Sequence, residues 1–187
     1  MTTPDLAPPS APTGLAETAA DAPPRVALSW SAASDDVGVT AYEVSRGGAL
    51  VATVTATSWT DTSVAAGQTY DYAVRPRDAA GNQGPEASVT AKVPDTTAPR
   101  VPTALRASAL SKPRRVSLSW GASTDNVGVA GYRVFRNGVR IATTATRSYV
   151  DAAVARSTTY RYAVAAHDAA GNASATTASV SVKTPAK

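Results

Sequence analysis

The 187-residue sequence contains no cysteine and only one histidine, His167. Without cysteine the chain has no disulfides, no thiol nucleophile and no thiolate metal site. A single histidine excludes histidine-rich metal clusters and leaves only His167 as the base of a catalytic triad. No apolar run approaches the roughly 18 residues that cross a bilayer, so we expect no membrane span. The polar, proline-rich opening also lacks the apolar stretch of a signal peptide.

The charged residues are distributed unequally along the chain. The net charge of +4 combines a first half, residues 1–97, with a net charge of −6 and a second half, residues 98–187, with a net charge of +10. Halves of opposite charge can indicate polyanion binding or self-association. They can equally reflect solvated surfaces without a function.

The sequence is an internal duplication with a period of 90 residues. A shift of 90 positions superposes Trp30 on Trp120 and Tyr42 on Tyr132. A period this long indicates two autonomous domains rather than solenoid repeats. We therefore predict four segments: a Pro-rich N-terminal tail at 1–9, a first domain at 10–94, a short Pro-bracketed linker at 95–99 and a second domain at 100–187. Because proline favours extended backbone, the linker is expected to be a semi-rigid spacer.

Alternation of apolar and polar residues predicts β-strands in both halves. It places Val26, Leu28 and Trp30 on one face of a strand. The Asn-Gly pair at 137–138 lies between two alternating segments and predicts a hairpin with a type I′ turn. No segment shows helical periodicity over ten residues. We therefore predict an all-β fold of two tandem, seven-stranded antiparallel β-sandwiches.

Each half of the chain resembles a fibronectin type III domain. The first half carries the family's strand-B tryptophan, its Tyr-x-Val motif in strand C, and an aliphatic residue six positions before a corner tyrosine: Trp30, Tyr42, Val44, Val64 and Tyr70. The second half repeats them as Trp120, Tyr132, Val134, Val154 and Tyr160. Residues 34–39, 78–82 and 95–99 resemble the bacterial versions found in secreted polysaccharide-degrading enzymes such as chitinases and cellulases. The resemblance implies immunoglobulin-like sandwiches in an accessory module.

Loops rich in aspartate are the candidate metal sites. In the resembled fold, the loop with Asp35 and Asp36 lies at the same end of the sandwich as the loop with Asp78, and the second half offers Asp125 and Asp168. Carboxylate oxygens are ligands that calcium prefers. However, aspartates in turns commonly accept hydrogen bonds from nearby backbone N–H groups. We therefore expect no metal and no cofactor, and we keep these five residues as calcium candidates.

Neither the histidine nor the aromatic residues predict an active site. His167 replaces Arg77 of the first half, and no nucleophile or orienting acid is identified for it, so we expect no catalytic residue and no enzyme activity. Most tryptophans and tyrosines fall on inward-facing strand positions. Trp59 and its counterpart Tyr149 are predicted as half-buried core rings.

The charge asymmetry predicts a basic surface on the second domain. Alternation points Arg133 and Arg161 outward, with Phe135 on the same side, whereas the first half has Glu43 and Asp71 at the matching positions. The arginine stems could simply cover the ring. Alternatively, the surface binds an anionic polymer or meets the acidic surface of another molecule, because arginine stacks on rings and pairs bidentately with carboxylates.

The favoured function is a non-catalytic spacer in a secreted bacterial glycoside hydrolase. Its partners would be the neighbouring catalytic and carbohydrate-binding domains of the same parent chain, and the module is expected to be monomeric and extracellular. The alternative is an adhesive or ligand-binding module that uses the basic second domain against an anionic cell-surface polymer or a partner protein. Fold resemblance by itself does not decide between them.

Overall fold

The computed structural model of the chain describes residues 4–112 and 114–186. It contains two units, Met1–Asp95 and Thr96–Lys187. All regular secondary structure in the described residues is β-strand, which confirms the predicted all-β fold. No helix in this part of the chain is long and apolar enough to cross a membrane.

The first unit consists of two antiparallel sheets. Its strands are β1 (Thr13–Asp21), β2 (Pro24–Ser31), β3 (Val39–Arg46), β4 (Ala49–Val54), β5 (Ser58–Asp61), β6 (Thr69–Asp78) and β7 (Ala87–Lys92). One sheet has the order β1-β2-β5 and the other has the order β4-β3-β6-β7. Because alternate residues of a strand point to opposite faces, each sheet has one apolar inner face and one outer face.

The second unit repeats this architecture. Its strands are β8 (Arg106–Ser111), β9 (Arg114–Ser119), β10 (Val129–Arg136), β11 (Val139–Thr144), β12 (Ser148–Asp151), β13 (Thr159–Asp168) and β14 (Val180–Lys183). The two sheets have the orders β12-β9-β8 and β11-β10-β13-β14. This is the strand order of the first unit.

The core of each unit lies between its two sheets. In the first unit, the three apolar residues predicted on one face of β2 join apolar residues of β3 and β6 in one buried cluster: Val26, Leu28, Trp30, Tyr42, Val44, Tyr72 and Val74. The edge of the Trp30 ring meets the Tyr42 ring with their centroids 5.4 Å apart, and Trp120 meets Tyr132 at 5.5 Å. Trp59 and Tyr149 are half-buried against these cores, as predicted.

The predicted turn and corner are both present. Asn137 and Gly138 have φ angles of 50° and 83°, the left-handed values that a type I′ hairpin requires. The hydroxyl of Tyr70 accepts a hydrogen bond from the backbone N–H of Ala65 at 3.0 Å. In the same way, the hydroxyl of Tyr160 accepts a hydrogen bond of 2.9 Å from the backbone N–H five residues upstream.

The segment predicted as a tail packs against the loops of the first unit. Its first three residues lie outside the described residues. The amide nitrogen of Asn82 donates to the backbone oxygen of Asp5 at 3.2 Å, and the backbone N–H of Ser10 donates to Ser34 at 2.8 Å. These bonds satisfy backbone groups on both sides, so residues 5–10 are part of the first unit.

The residues predicted as a linker behave similarly in the second unit. The backbone N–H of Arg100 donates to the oxygen of Thr124 at 2.9 Å, and Asn172 donates from its amide to the oxygen of Thr97 at 3.4 Å. Pro99 is buried. Thr97 and the residues after it are therefore held by the second unit's own loops.

Candidate functional site

A buried ion pair lies at one end of the first core. Asp61 ends β5, is 2% exposed, and accepts a 2.6 Å bond from Arg46 at the end of β3. The hydroxyl of Tyr72 donates to the same carboxylate oxygen at 2.8 Å. The second oxygen accepts bonds from the N–H and the hydroxyl of Ser63, at 2.8 and 2.7 Å. The Arg46 guanidinium also lies 5.4 Å from the centroid of the Tyr70 ring.

These contacts keep Asp61 ionised. Burial alone would raise its pKa, but the hydrogen bonds from Ser63, Tyr72 and Arg46 outweigh that effect and lower the pKa of the Asp61 carboxyl. Burial and the neighbouring carboxylate raise the pKa of the Tyr72 hydroxyl, which therefore stays protonated and donates. Both oxygens of this carboxylate accept hydrogen bonds from side chains or backbone of the same unit, so we assign the cluster a structural role.

The second unit contains a similar cluster, in which Ala153 replaces Ser63 and donates only its backbone N–H, at 3.0 Å. Arg136 donates to Asp151 at 2.8 Å, and Tyr162 donates to the same oxygen at 2.7 Å. Neither cluster was predicted from the sequence, although the repeat superposes Asp61 on Asp151 and Tyr72 on Tyr162. In the sequence, an aspartate at the end of a strand cannot be distinguished from an ordinary turn residue, because its partners lie on two other strands.

The aspartate loops of the first unit converge. Oxygens of Asp35 and Asp78 lie within 4.8 Å of each other and of an oxygen of Asp5, which sequence analysis did not include. Asp36 is exposed and is not part of this group. Carboxylate oxygens of Asp125 and Asp168 also lie within 4.8 Å of each other.

Four of the six oxygens in the Asp5, Asp35 and Asp78 cluster accept local hydrogen bonds. Backbone N–H groups donate to one oxygen of each carboxylate, and the amide of Asn82 donates to the other oxygen of Asp78. Burial would raise the pKa of Asp78, but these hydrogen bonds lower it. The two remaining oxygens, Asp5 Oδ2 and Asp35 Oδ1, are buried without a hydrogen-bond partner among the described residues. We propose that the hydrogen bonds of this cluster hold the loops around these three aspartates in one conformation.

Chelation is therefore expected to leave the melting temperature unchanged. Calcium takes six to eight oxygen ligands, whereas only two carboxylate oxygens of this cluster are not already engaged. The measurement is the melting temperature of the full chain in excess EDTA, compared with excess calcium. Since a bound ion stabilises the folded state by mass action, a drop in EDTA that calcium reverses would show that the aspartates bind a cation instead.

The geometry around His167 does not form a catalytic group. The Nδ1 atom lies 3.1 Å from the backbone oxygen of the adjacent Asp168, and the Nε2 atom is buried without a hydrogen-bond partner among the described residues. The Asp168 carboxylate instead accepts from the backbone of the loop that follows it, at 2.7 and 2.8 Å. No nucleophile is paired with this histidine in the described part of the chain.

The outer face of the four-stranded sheet in the second unit is basic. Phe135 is half-buried and has Arg140 as its cross-strand partner on β11 and Ala163 as its partner on β13. Directly paired residues point to the same face, so Arg140 lies on the outer face beside the ring. Arg133 and Arg161 lie on this face two residues away along β10 and β13. We call Arg133, Phe135, Arg140 and Arg161 the basic face; sequence analysis omitted Arg140 because only strand register places it there.

The same face of the first unit is charged but internally paired. Glu43 lies 3.8 Å from Arg77, and Glu86 lies 3.1 Å from Arg75. Asp71 accepts a 2.6 Å hydrogen bond from a threonine hydroxyl on β7. The two units thus share a fold but differ in the charge that this face carries.

Sequence comparisons find related segments in bacterial enzymes. The chain is 44% identical over 191 residues to exoglucanase B of Cellulomonas fimi, a match that covers 98% of this chain and 17% of the exoglucanase. It is 44% identical over 169 residues to chitinase A1 of Niallia circulans, covering 87% of this chain and 24% of the chitinase. The chain therefore spans about a fifth of the length of these relatives.

No family model matches the sequence. The solved fibronectin domains FN1–FN3 of chicken CNTN1 align with 96% of this chain and 69% of their own, at 21% identity and a TM-score of 0.45. The strand order gives each unit the fold of a fibronectin type III domain, and the sequence matches show that the chain is homologous to segments of bacterial exoglucanases and chitinases.

Proposed function

We propose that the chain is a non-catalytic spacer module of a secreted bacterial glycoside hydrolase. The observation that carries this proposal is that nearly the whole chain matches a segment of an exoglucanase while spanning only 17% of that enzyme. The module acts as a monomer between the catalytic domain and a carbohydrate-binding domain. By fixing their separation, it raises the effective concentration of the active site near an insoluble polymer.

The connection between the units supports a stiff spacer. Val93 is fully buried in the first unit, and its N–H donates to Gln68 at 2.9 Å. Thr97 already accepts a hydrogen bond from a loop of the second unit. The backbone oxygen of Pro94 also accepts a hydrogen bond of 3.4 Å from Gly67 of the first unit, so the connection to Thr97 is short, and Pro94 has a restricted backbone. A connection this short limits the conformations available to a two-unit spacer.

The spacer proposal is tested by linker replacement. A glycoside hydrolase catalytic domain and a cellulose-binding module are joined either by this chain or by a Gly/Ser linker with the same number of residues. We expect equal activity on a soluble substrate and several-fold higher activity on insoluble cellulose with the folded spacer, because a flexible chain samples many separations. Equal activity of both fusions on the insoluble substrate would contradict the proposal.

The second candidate function is ligand binding by the second unit. The specific observation in its favour is that the arginines of the basic face have no ion-pair partner among the described residues, whereas the same face of the first unit is paired. Arginines kept apart from carboxylates on one surface are available to an external anion.

A further inference from the structure

No acidic side chain of the second unit lies on its basic face. The unit has three acidic residues, Asp125, Asp151 and Asp168. Asp151 is buried with Arg136, Asp168 is the buried last residue of β13, and Asp125 belongs to the loop between β9 and β10. The three arginines of the basic face, two of them exposed, therefore present a net charge of +3 around one phenylalanine ring.

The first unit does not supply a complementary surface for a second copy of the chain. Its matching face carries Glu43, Asp71 and Glu86, but Arg75 and Arg77 reduce their sum to −1. Docking would also compete with these existing ion pairs. Charge complementarity therefore favours an external polyanion over head-to-tail association.

The surroundings of the basic face suit a sugar. A shallow depression of about 640 Å³ adjoins it, lined by Arg161, Ala163, Thr176, Thr177 and Ser179. Ala163 is the cross-strand partner of Phe135, so the depression and the ring lie side by side. The hydroxyls are hydrogen-bond partners for sugar hydroxyls, and the ring offers an apolar surface to the C–H face of a pyranose.

The arginines specify the charge that such a sugar carries. A guanidinium pairs with a carboxylate through two parallel N–H···O bonds, which a neutral hydroxyl cannot match. We propose that the basic face of the second unit binds a polysaccharide built of uronic acids, with arginine on the carboxylates and Phe135 against a sugar ring. This inference rests on the ligand-binding function proposed above and narrows it to one substrate class.

The test is affinity electrophoresis of the full chain at low ionic strength in gels containing one polymer each. Polygalacturonate supplies rings and carboxylates, its fully methyl-esterified form supplies rings without charge, and polyglutamate supplies carboxylates without rings. We expect retention by polygalacturonate, none by the ester, and loss of retention as salt is added.

Two double variants distinguish the effect of the basic face on binding from the effect of the overall net charge. Arg133→Glu with Arg161→Glu is expected to weaken the polygalacturonate affinity by at least about tenfold, since two attractive contacts become repulsive. Arg106→Glu with Arg156→Glu changes the net charge equally at exposed positions away from this face and is expected to have a much smaller effect. Phe135→Ser, which introduces the residue found at position 45 of the first unit, should weaken retention by polygalacturonate but not by polyglutamate. Melting curves of all variants check folding.

Several outcomes would overturn the inference. They are a wild-type chain that polygalacturonate does not retain, equal losses in the two arginine pairs, or Phe135→Ser behaving like wild type in both charged polymers. Sedimentation that shows self-association abolished by Arg133→Glu with Arg161→Glu would identify a second copy as the partner instead. None of these results bears on the spacer function, because the linker experiment uses uncharged cellulose.

Discussion

Replacing Asp61 with asparagine is expected to lower the free energy of unfolding of the first unit by about 3 kcal/mol. The variant removes the negative charge that Arg46 and the Tyr72 hydroxyl face, and leaves a cation partly buried without a counter-charge. In a unit of this size, a loss of that magnitude lowers the melting temperature by more than about 10 °C. Calorimetry of the full chain should show one transition shifted and the other, from the second unit, in place.

Asp71→Asn is the matched control. It makes the same chemical change at an exposed carboxylate whose contact is a threonine hydroxyl on the neighbouring strand. An amide oxygen can still accept that bond, so a change within about 0.5 kcal/mol is expected. If Asp61→Asn and Asp71→Asn melt together, the buried ion pair does not stabilise the unit.

The effect of Asp61→Asn should also depend on pH. The pKa of Asp61 is lowered in the folded state, so its contribution is fully present above the unfolded pKa and is lost as the pH falls through the folded value. The difference in unfolding free energy between wild type and Asp61→Asn should therefore be constant near neutrality and shrink below about pH 4, close to the unfolded pKa of aspartate. A constant difference down to strongly acidic pH would show that the folded pKa is not linked to stability.

Replacing Trp120 with alanine is expected to destabilise the second unit by about 3–5 kcal/mol. The ring is 6% exposed and packs edge-on against Tyr132, whose hydroxyl accepts a 3.2 Å bond from the backbone of Ser123. The substitution leaves a cavity between the sheets and removes the support for that loop contact. Chemical denaturation should show the second unit unfolding first while the first unit keeps its midpoint.

Trp59→Tyr serves as the control for aromatic size. Trp59 is half-buried on β5 beside Leu28, and the second unit has Tyr149 at the equivalent position. Because the repeat already accepts tyrosine there, a loss of no more than about 1 kcal/mol is expected. A loss for Trp120→Ala as small as that for Trp59→Tyr would mean that the strand-B tryptophan does not hold the two sheets together.

The strands and their inner faces follow from the sequence alone. Alternation at Val26, Leu28 and Trp30 has a period of two, and burying those side chains fixes both the strand and its orientation. The Asn-Gly pair at 137–138 fixes a turn because few other residues accept its backbone angles. These features depend on residues within one strand or one hairpin.

The clusters and the basic face were decided by tertiary structure. Asp61 joins Arg46 and Tyr72 from two other strands, and Asp5 reaches Asp35 and Asp78 across the ends of three segments. Arg140 lies beside Phe135 because a bulge shifts the register between β10 and β11 by one residue. Such contacts join residues far apart in the chain, and a one-residue change in register moves a side chain to the opposite face. Local pattern carries no information on that register, so only the assembled sheets determine which charges meet.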